Sequence, residues 1–436
     1  MLHNELEGLN RYPFHMPGHK RNTQFGITAC EKDITEIDGF DNLHSPAGLI
    51  KEIEDRLASV YKAEKSFMLI NGSTVGILAS IFSVLKENDT VLIARNCHKS
   101  VYNACYLLKL KIAFIEPEYD CENGFYKGVS QESFNDALNK HKNAKAVIIT
   151  SPTYEGFVSS IKTDLPLIVD CAHGAHFGFG GFPKYPKADI VISSLHKTLP
   201  SLTQTAVLNV YNKKYIPLVK RYLDIFQTTS PSYVLMSSVS KCVEFLENSR
   251  SAFDKYEKML DDFYKISLKH LEIIKADDKG KIVLSCSKAN INAVDLADIL
   301  RCKYGIEPEA VSNTYIIFMT SPADTQDGFD LLKKALKEAD EVLIERKPEA
   351  FSKPLRFDGE AIIEYAEKSK KTELSQSVGE ISAEYVFAYP PDIPIIIPNQ
   401  KITEQCVIEI SKMIKNGINI ISDSNLLPDY ILTKEV

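Results

Sequence analysis

Two serines, a histidine and a lysine follow an apolar run in Ser193-Ser194-Leu195-His196-Lys197-Thr198, which continues Ala188-Asp189-Ile190-Val191-Ile192. A second apolar run, Leu167-Ile168-Val169, ends on Asp170. Read as strands, these runs bring an amine and a carboxylate to strand ends. A lysine amine can form a Schiff base with an aldehyde. A carboxylate can keep a pyridine nitrogen protonated, so that the ring accepts electrons. A small hydroxyl and an imidazole can bind phosphate. Those are the needs of pyridoxal 5'-phosphate (PLP). A lone lysine at a strand end is usually only solvated, so the pairing of Lys197 with Asp170 carries the reading.

Gly72-Ser73-Thr74 follows the apolar Phe67-Met68-Leu69-Ile70 and opens a helical pattern. Free amides at a helix start, with hydroxyls beside them, make a phosphate cradle. The bland alternative is an ordinary Ser/Thr helix cap. Seven of the ten histidines, at 15, 19, 44, 98, 173, 176 and 196, fall in the candidate site segments. Each alone reads as a hydrogen-bonding residue; their grouping after strands points to a site. His98, after Thr90–Ala94, could stack on a flat cofactor, and Lys99 beside it reads as solvated. Asp170-Cys171-Ala172-His173-Gly174-Ala175-His176 has metal-ligand types, but its His-x-x-His spacing is not that of a helical zinc site. No metal is expected, and Cys171 reads as a small wall residue. Thr228-Thr229-Ser230-Pro231-Ser232-Tyr233 is either a capped helix start or a hydroxyl-rich turn that reaches a phosphate in a neighbouring subunit.

Short apolar runs must position these groups. They fall at 66–70, 90–94, 111–115, 146–150, 167–170, 190–193 and 206–210, and helical stretches separate several of them. That alternation predicts a mainly parallel sheet with helices on both faces. Sites in such sheets form beyond the carboxyl ends of the strands, where Asn71–Thr74, His98, Asp170 and Ser194–Lys197 all lie. An irregular arm is expected over 1–47 and a large domain over 48–265, its last part long and helical. A small α/β domain is expected over 266–350, with strands at 282–285 and 315–319 and helices at 294–304 and 329–343. A polar connector and a C-terminal domain, with a strand at 395–397, are expected over 351–436.

The chain has 436 residues, 44% hydrophobic and 25% charged, with a formal charge of −7. This is an ordinary globular composition, and the acidity argues against nucleic acid as a partner. Nine scattered cysteines form no CxxC pair, so a disulfide framework or zinc site is not expected and a reducing cytoplasm fits. The first ten residues have no apolar core, so no signal peptide is expected, and no apolar run reaches membrane-helix length.

The motifs together resemble the ornithine/lysine/arginine decarboxylases of PLP fold type I, the aspartate aminotransferase-like superfamily. The resemblance runs in order through His15-Met16-Pro17-Gly18-His19-Lys20, Asp41 to Gly48, Asn71 to Gly76, Ser194 to Lys197, Thr229 to Tyr233, and Tyr389-Pro390-Pro391 with Ile393-Pro394. Asp170 to Phe177 is similar to the shorter, Gram-positive-type branch, and the wing domain of the long enzymes is expected to be missing. The resemblance implies a seven-stranded, mainly parallel large-domain sheet, a small α/β domain and a small C-terminal domain.

It also implies roles. Lys197 is the Schiff-base lysine, Asp170 the partner of the pyridine nitrogen, and His98 the ring that stacks on the cofactor. Ser73, Thr74, Ser194 and His196 bind phosphate, with Ala172 and His173 lining the cofactor. Thr229 and Ser230 complete the site from a partner subunit, which implies a homodimer. The implied activity is decarboxylation of arginine, lysine or ornithine to agmatine or a diamine, within polyamine metabolism, with arginine slightly ahead. Departures stand at Arg21-Asn22, Cys171, Asp392 and Asn399-Gln400. Those in the arm and C-terminal part leave the choice of substrate open. The rival readings are an aminotransferase or other PLP lyase of the same fold, and a non-catalytic paralogue.

Overall fold

The computed structural model describes residues 12–14, 40–348, 351, 360–388, 392–415 and 417–435. Along the chain come β1 (Tyr12–Phe14), α1 (Leu49–Tyr61), β2 (Lys65–Leu69), α2 (Gly72–Val84), β3 (Thr90–Ala94), α3 (Lys99–Leu107), β4 (Lys111–Ile115) and the hairpin β5 (Tyr119–Asp120) and β6 (Phe125–Tyr126). Then follow α4 (Gln131–Lys140), β7 (Ala146–Thr150), β8 (Leu167–Asp170), β9 (Ile190–Ser194), the single turn α5 (Leu195–Thr198), β10 (Ala206–Val210), α6 (Ile216–Phe226), α7 (Tyr233–Glu247) and α8 (Arg250–Phe263). The next group is β11 (Glu272–Ile274), β12 (Lys281–Ser285), α9 (Ala293–Tyr304), β13 (Ile306–Pro308), β14 (Ala310–Val311), β15 (Tyr315–Met319) and α10 (Gln326–Asp340). The last is β16 (Glu360–Ile362), β17 (Ser369–Glu373), β18 (Val386–Ala388), β19 (Ile393–Ile396), α11 (Glu404–Lys415), β20 (Ile420–Ser422) and β21 (Tyr430–Lys434).

The main sheet has the order β16-β4-β3-β7-β8-β9-β10-β2. The five strands from β4 to β9 are mutually parallel, and β10 runs antiparallel to both β9 and β2. Every residue of β3, β9 and β10 is buried, which requires cover on both faces and explains the unbroken apolar runs. Truncating Leu92 or Ile93 to alanine, both 0% exposed, would cost ~2–5 kcal/mol. α2 lies against this sheet because Gly76 permits it: a Cβ there would meet Leu69 at 2.6 Å and Ile192 at 3.0 Å. A second sheet, β11-β12-β15-β14, packs with α8, α9 and α10 into a core shared with α1 and α7.

The expected seven strands are present, and an eighth, β16, adds an antiparallel edge beside β4. It comes from the segment expected to be C-terminal, and its alternating exposed and buried residues give it no apolar run. The arm is not wholly irregular, since β1 pairs in parallel with β13. The helical region after 211 is three helices, broken at Gln227–Ser232 and Asn248–Ser249. α10 begins at 326 rather than 329 because the Thr325 side chain caps it, accepting from the Gly328 N–H. The motifs at 15–20 and 389–391, with Arg21-Asn22, lie outside the described residues.

Candidate active site

Asp170 and Ser194 close the parallel neighbours β8 and β9, in a register that pairs Asp170 with Ile192. The chain turns at Ser194 into α5, which presents His196 and Lys197. Across the site, α2 starts at Gly72, whose φ of +75° suits a residue without Cβ. A cavity of about 580 Å³ joins these ends, lined by Gly72, Ser73, Thr74, His98, Asp170, Ala172, His173, Ser194, His196 and Lys197 among others. The structure therefore brings together Ser73, Thr74, His98, Asp170, Ala172, His173, Ser194, His196 and Lys197, but His44, His176, Thr229 and Ser230 do not line the cavity. Thr229 and Ser230 are exposed on the turn before α7.

Two hydroxyls pin the α2 end of the cavity: Ser73 Oγ and Ser194 Oγ lie 2.5 Å apart. The residue preceding α2, Asn71, makes no side-chain cap. Its Oδ1 instead accepts from the Thr228 N–H at 3.1 Å, which ties the hydroxyl-rich turn to this loop. The first-turn amides of α2 are thus left uncapped by that side chain beside two hydroxyls, a donor set that fits a phosphate. His196 donates from Nδ1 to the Thr205 carbonyl at 2.8 Å. His98 caps α3 by accepting from the Ser100 N–H.

Asp170 is 3% exposed and accepts from the Ala172 N–H at 3.1 Å. Burial raises its carboxyl above the ordinary range, with His98 and Lys197 pulling the other way. Burial also lowers the Lys197 ammonium, against the attraction of Asp170, Glu309 and Asp392. A buried carboxylate and a depressed lysine lining one cavity fit a PLP ring and its aldehyde. Burial lifts the Cys171 thiol well up, which suits a wall residue rather than a nucleophile. His176 goes to Asp278 at 3.1 Å, away from His173, and among the described residues no group of His, Cys, Asp and Glu is placed to hold a metal.

Lys99 is not merely solvated: its Nζ is 3.0 Å from Asp392 and 4.7 Å from the Phe387 ring centroid. Asp392 also faces His98 at 3.7 Å and lines the cavity. Its φ of +65° is a backbone conformation that favours glycine. Sequence reasoning missed Tyr154, Glu309 and Lys281. Tyr154 donates to Glu309 at 2.8 Å and sets its ring edge-on to His173 at 4.9 Å. His173 lies between Lys197, 2.8 Å from Nε2, and Lys281, 2.7 Å from Nδ1. These residues come from β12 and from loops distant in sequence, so no local motif marks them.

The fold and this cavity define a PLP fold type I architecture. A family profile described as "Orn/Lys/Arg decarboxylase, major domain" matches residues 7–252, and the chain belongs to that family. It is 30% identical over 449 residues to the arginine decarboxylase of Bacillus subtilis, covering 93% of this chain and 91% of the relative. Its fold is similar to that of the Francisella novicida lysine decarboxylase, with TM-score 0.73 and 16% identity over 96% of this chain and 78% of that one. An SPT enzyme solved with PLP shares the fold more loosely, with TM-score 0.54 and 11% identity over 67% of this chain and 76% of the other.

Proposed function

We propose that this chain decarboxylates a basic amino acid on PLP linked to Lys197, with arginine preferred over lysine and ornithine. One observation carries the reading: Lys197, Asp170 and the Ser73/Ser194 cradle face one cavity, each at the end of its own element. The arginine order rests on the Bacillus relative, which matches nearly the whole chain. The likeness to the lysine enzyme is of fold alone.

Bound PLP would supply an electron sink for the pair left at Cα when carbon dioxide departs. Asp170 holds the proton on the pyridine nitrogen, and its burial keeps that charge pair strong. Ser73, Thr74, Ser194 and His196, with the α2 amides, hold the phosphate. His98 would stack on the ring, and Ala172 and His173 would line the cofactor. Lys197 or a nearby histidine returns a proton to Cα. Glu309 and Asp392 make the cavity suited to a cationic side chain, since burying such a charge unpaired costs several kcal/mol.

Thr229 and Ser230 are assigned to the site of a second copy, which makes the working unit a homodimer. The chain is divided into an arm (1–47), a PLP-binding domain (48–265), a small domain (266–350) and a C-terminal domain (351–436). No described helix is long and apolar enough to cross a membrane. Free cysteines, most of them buried, suit a reducing cytoplasm. The amine product would place the reaction in polyamine metabolism. The test is to incubate protein plus PLP with each basic amino acid and identify the amine. Agmatine from arginine at the highest kcat/KM is expected. Carbon dioxide from a neutral or acidic amino acid only would overturn the substrate class.

A further inference from the structure

Lys281 opens β12, a strand of the second sheet, yet its side chain is among the most deeply buried of the molecule at 1% exposure. A buried lysine is uncommon unless something holds it. Its Nζ lies 2.7 Å from His173 Nδ1, and His173 Nε2 lies 2.8 Å from Lys197 Nζ. Glycine at 156 leaves room for its stem: a Cβ there would meet Lys281 Cγ at 2.9 Å. The chain Lys281–His173–Lys197 thus runs from the second sheet to the lysine at the centre of the candidate site.

Hydrogen counting restricts this chain. An ammonium only donates, and a neutral imidazole has one N–H and one lone pair. His173 between two ammonium groups would oppose an N–H to an N–H on one side. Two short contacts on one neutral ring therefore require one neutral amine. Burial and the two lysines hold His173 well below its ordinary range, so the ring is the neutral partner. Resting on the Lys197 assignment above, we propose that Lys281 is a positioning residue. As a cation it donates to His173 Nδ1, fixes the Nε2–H tautomer, and so keeps the Lys197 amine neutral with His173 donating to its lone pair.

The neutral amine is the form that adds to an aldehyde carbon. A C=N bond then forms, and the two nitrogen-bound hydrogens leave with the aldehyde oxygen as water. Other charges bear on each member. Asp170, Glu309 and Asp392 favour the Lys197 cation. His98 and His196 act on His173. Burial raises the Glu155 carboxyl, which accepts from the Tyr315 hydroxyl at 2.9 Å, and the nearby Lys281 pulls it the other way. The three carboxylates around Lys197 alone would stabilise its ammonium. The tautomer set by Lys281 opposes them.

The test uses full-length protein freed of cofactor, with PLP as the probe. The rate of visible-band formation at Lys197 is followed against pH. In Lys281→Met the charge is lost, His173 can take the other tautomer, and the Lys197 ammonium gains an acceptor. The inflection should move up by at least one pH unit, about a tenfold slower reaction at a fixed pH below it. Lys281→Arg should return the inflection toward the original. An unchanged inflection in Lys281→Met overturns the proposal. Should that variant not fold, histidine ¹⁵N NMR of the unsubstituted protein decides. An unprotonated Nδ1 and protonated Nε2 on His173 are expected, and the reverse overturns it. Failure of the unsubstituted protein to form any band would refute the Lys197 assignment, and the NMR tautomer would still judge the relay.

Discussion

Asp170→Asn tests the electronic role of the site with little disturbance to its shape. The amide is nearly isosteric, and its carbonyl oxygen can still accept from the Ala172 N–H now bonded at 3.1 Å. Burial already penalises the Asp170 charge, so its removal should not destabilise the apo protein. What is lost is the field on a protonated ring nitrogen. Two unit charges about 4 Å apart at an effective dielectric of about 20 interact by about 4 kcal/mol. If that attraction serves only the charge-separated transition state, its loss slows turnover by about a thousandfold, at about 1.36 kcal/mol per decade. The assay measures amine release under saturating substrate in protein whose PLP content has been checked by absorbance. Melting curves of the apo forms, compared in parallel, should coincide. A PLP-loaded variant within a few-fold of the original turnover would show that Asp170 is not the ring partner.

Lys197→Ala should lose the visible absorbance band that the intact protein acquires with PLP; an unchanged band would move the Schiff base to another lysine. Thr229→Ala with Ser230→Ala should weaken PLP retention, and mixing this double variant with Lys197→Ala protein should restore activity in hybrid dimers. A hybrid confirmed by mass and still inactive would mean that each site is built from one chain. Asp392→Gly should leave stability within about 1 kcal/mol, because relief of a positive-φ backbone offsets the loss of a partly exposed ion pair. The cavity loses a negative charge, so KM for the basic substrate should rise several-fold; an unchanged KM would show that Asp392 does not sense it.

The main sheet was readable because its strands are buried on both faces. Thr90–Ala94, Lys111–Ile115, Ala146–Thr150, Leu167–Asp170 and Ala206–Val210 are each one apolar run, and their observed limits coincide with those runs. β16 and β17 were not readable for the opposite reason. Glu360-Ala361-Ile362 buries one side chain, and Ser369–Glu373 buries none. Their pairing is set by backbone hydrogen bonds to strands far away in sequence, and β17 meets β21 some sixty residues on. β1 is similar, since it pairs only with the distant β13, in a two-stranded sheet of their own.

The same distinction sorts the site. Asp170, Ser194, His196 and Lys197 announce themselves because the strands that carry them also bring them together. His173 was legible as a residue but not as a link, because its two partners lie 24 and 108 positions away. Lys281 reads in sequence as a polar residue just before the strand expected at 282–285, where a lysine would ordinarily reach solvent. Only the packing of the second sheet against the β8–β9 end buries it and makes His173 its hydrogen-bond partner. Glu309 and Asp392 enter the cavity in the same way, from a second-sheet loop and from beside β19. The groups proposed to hold the cofactor thus come from one sheet. Those that bear on the charge of Lys197 and of a substrate come largely from parts that pack onto it. A change in how those parts seat should therefore alter substrate choice and pH dependence before it alters cofactor binding.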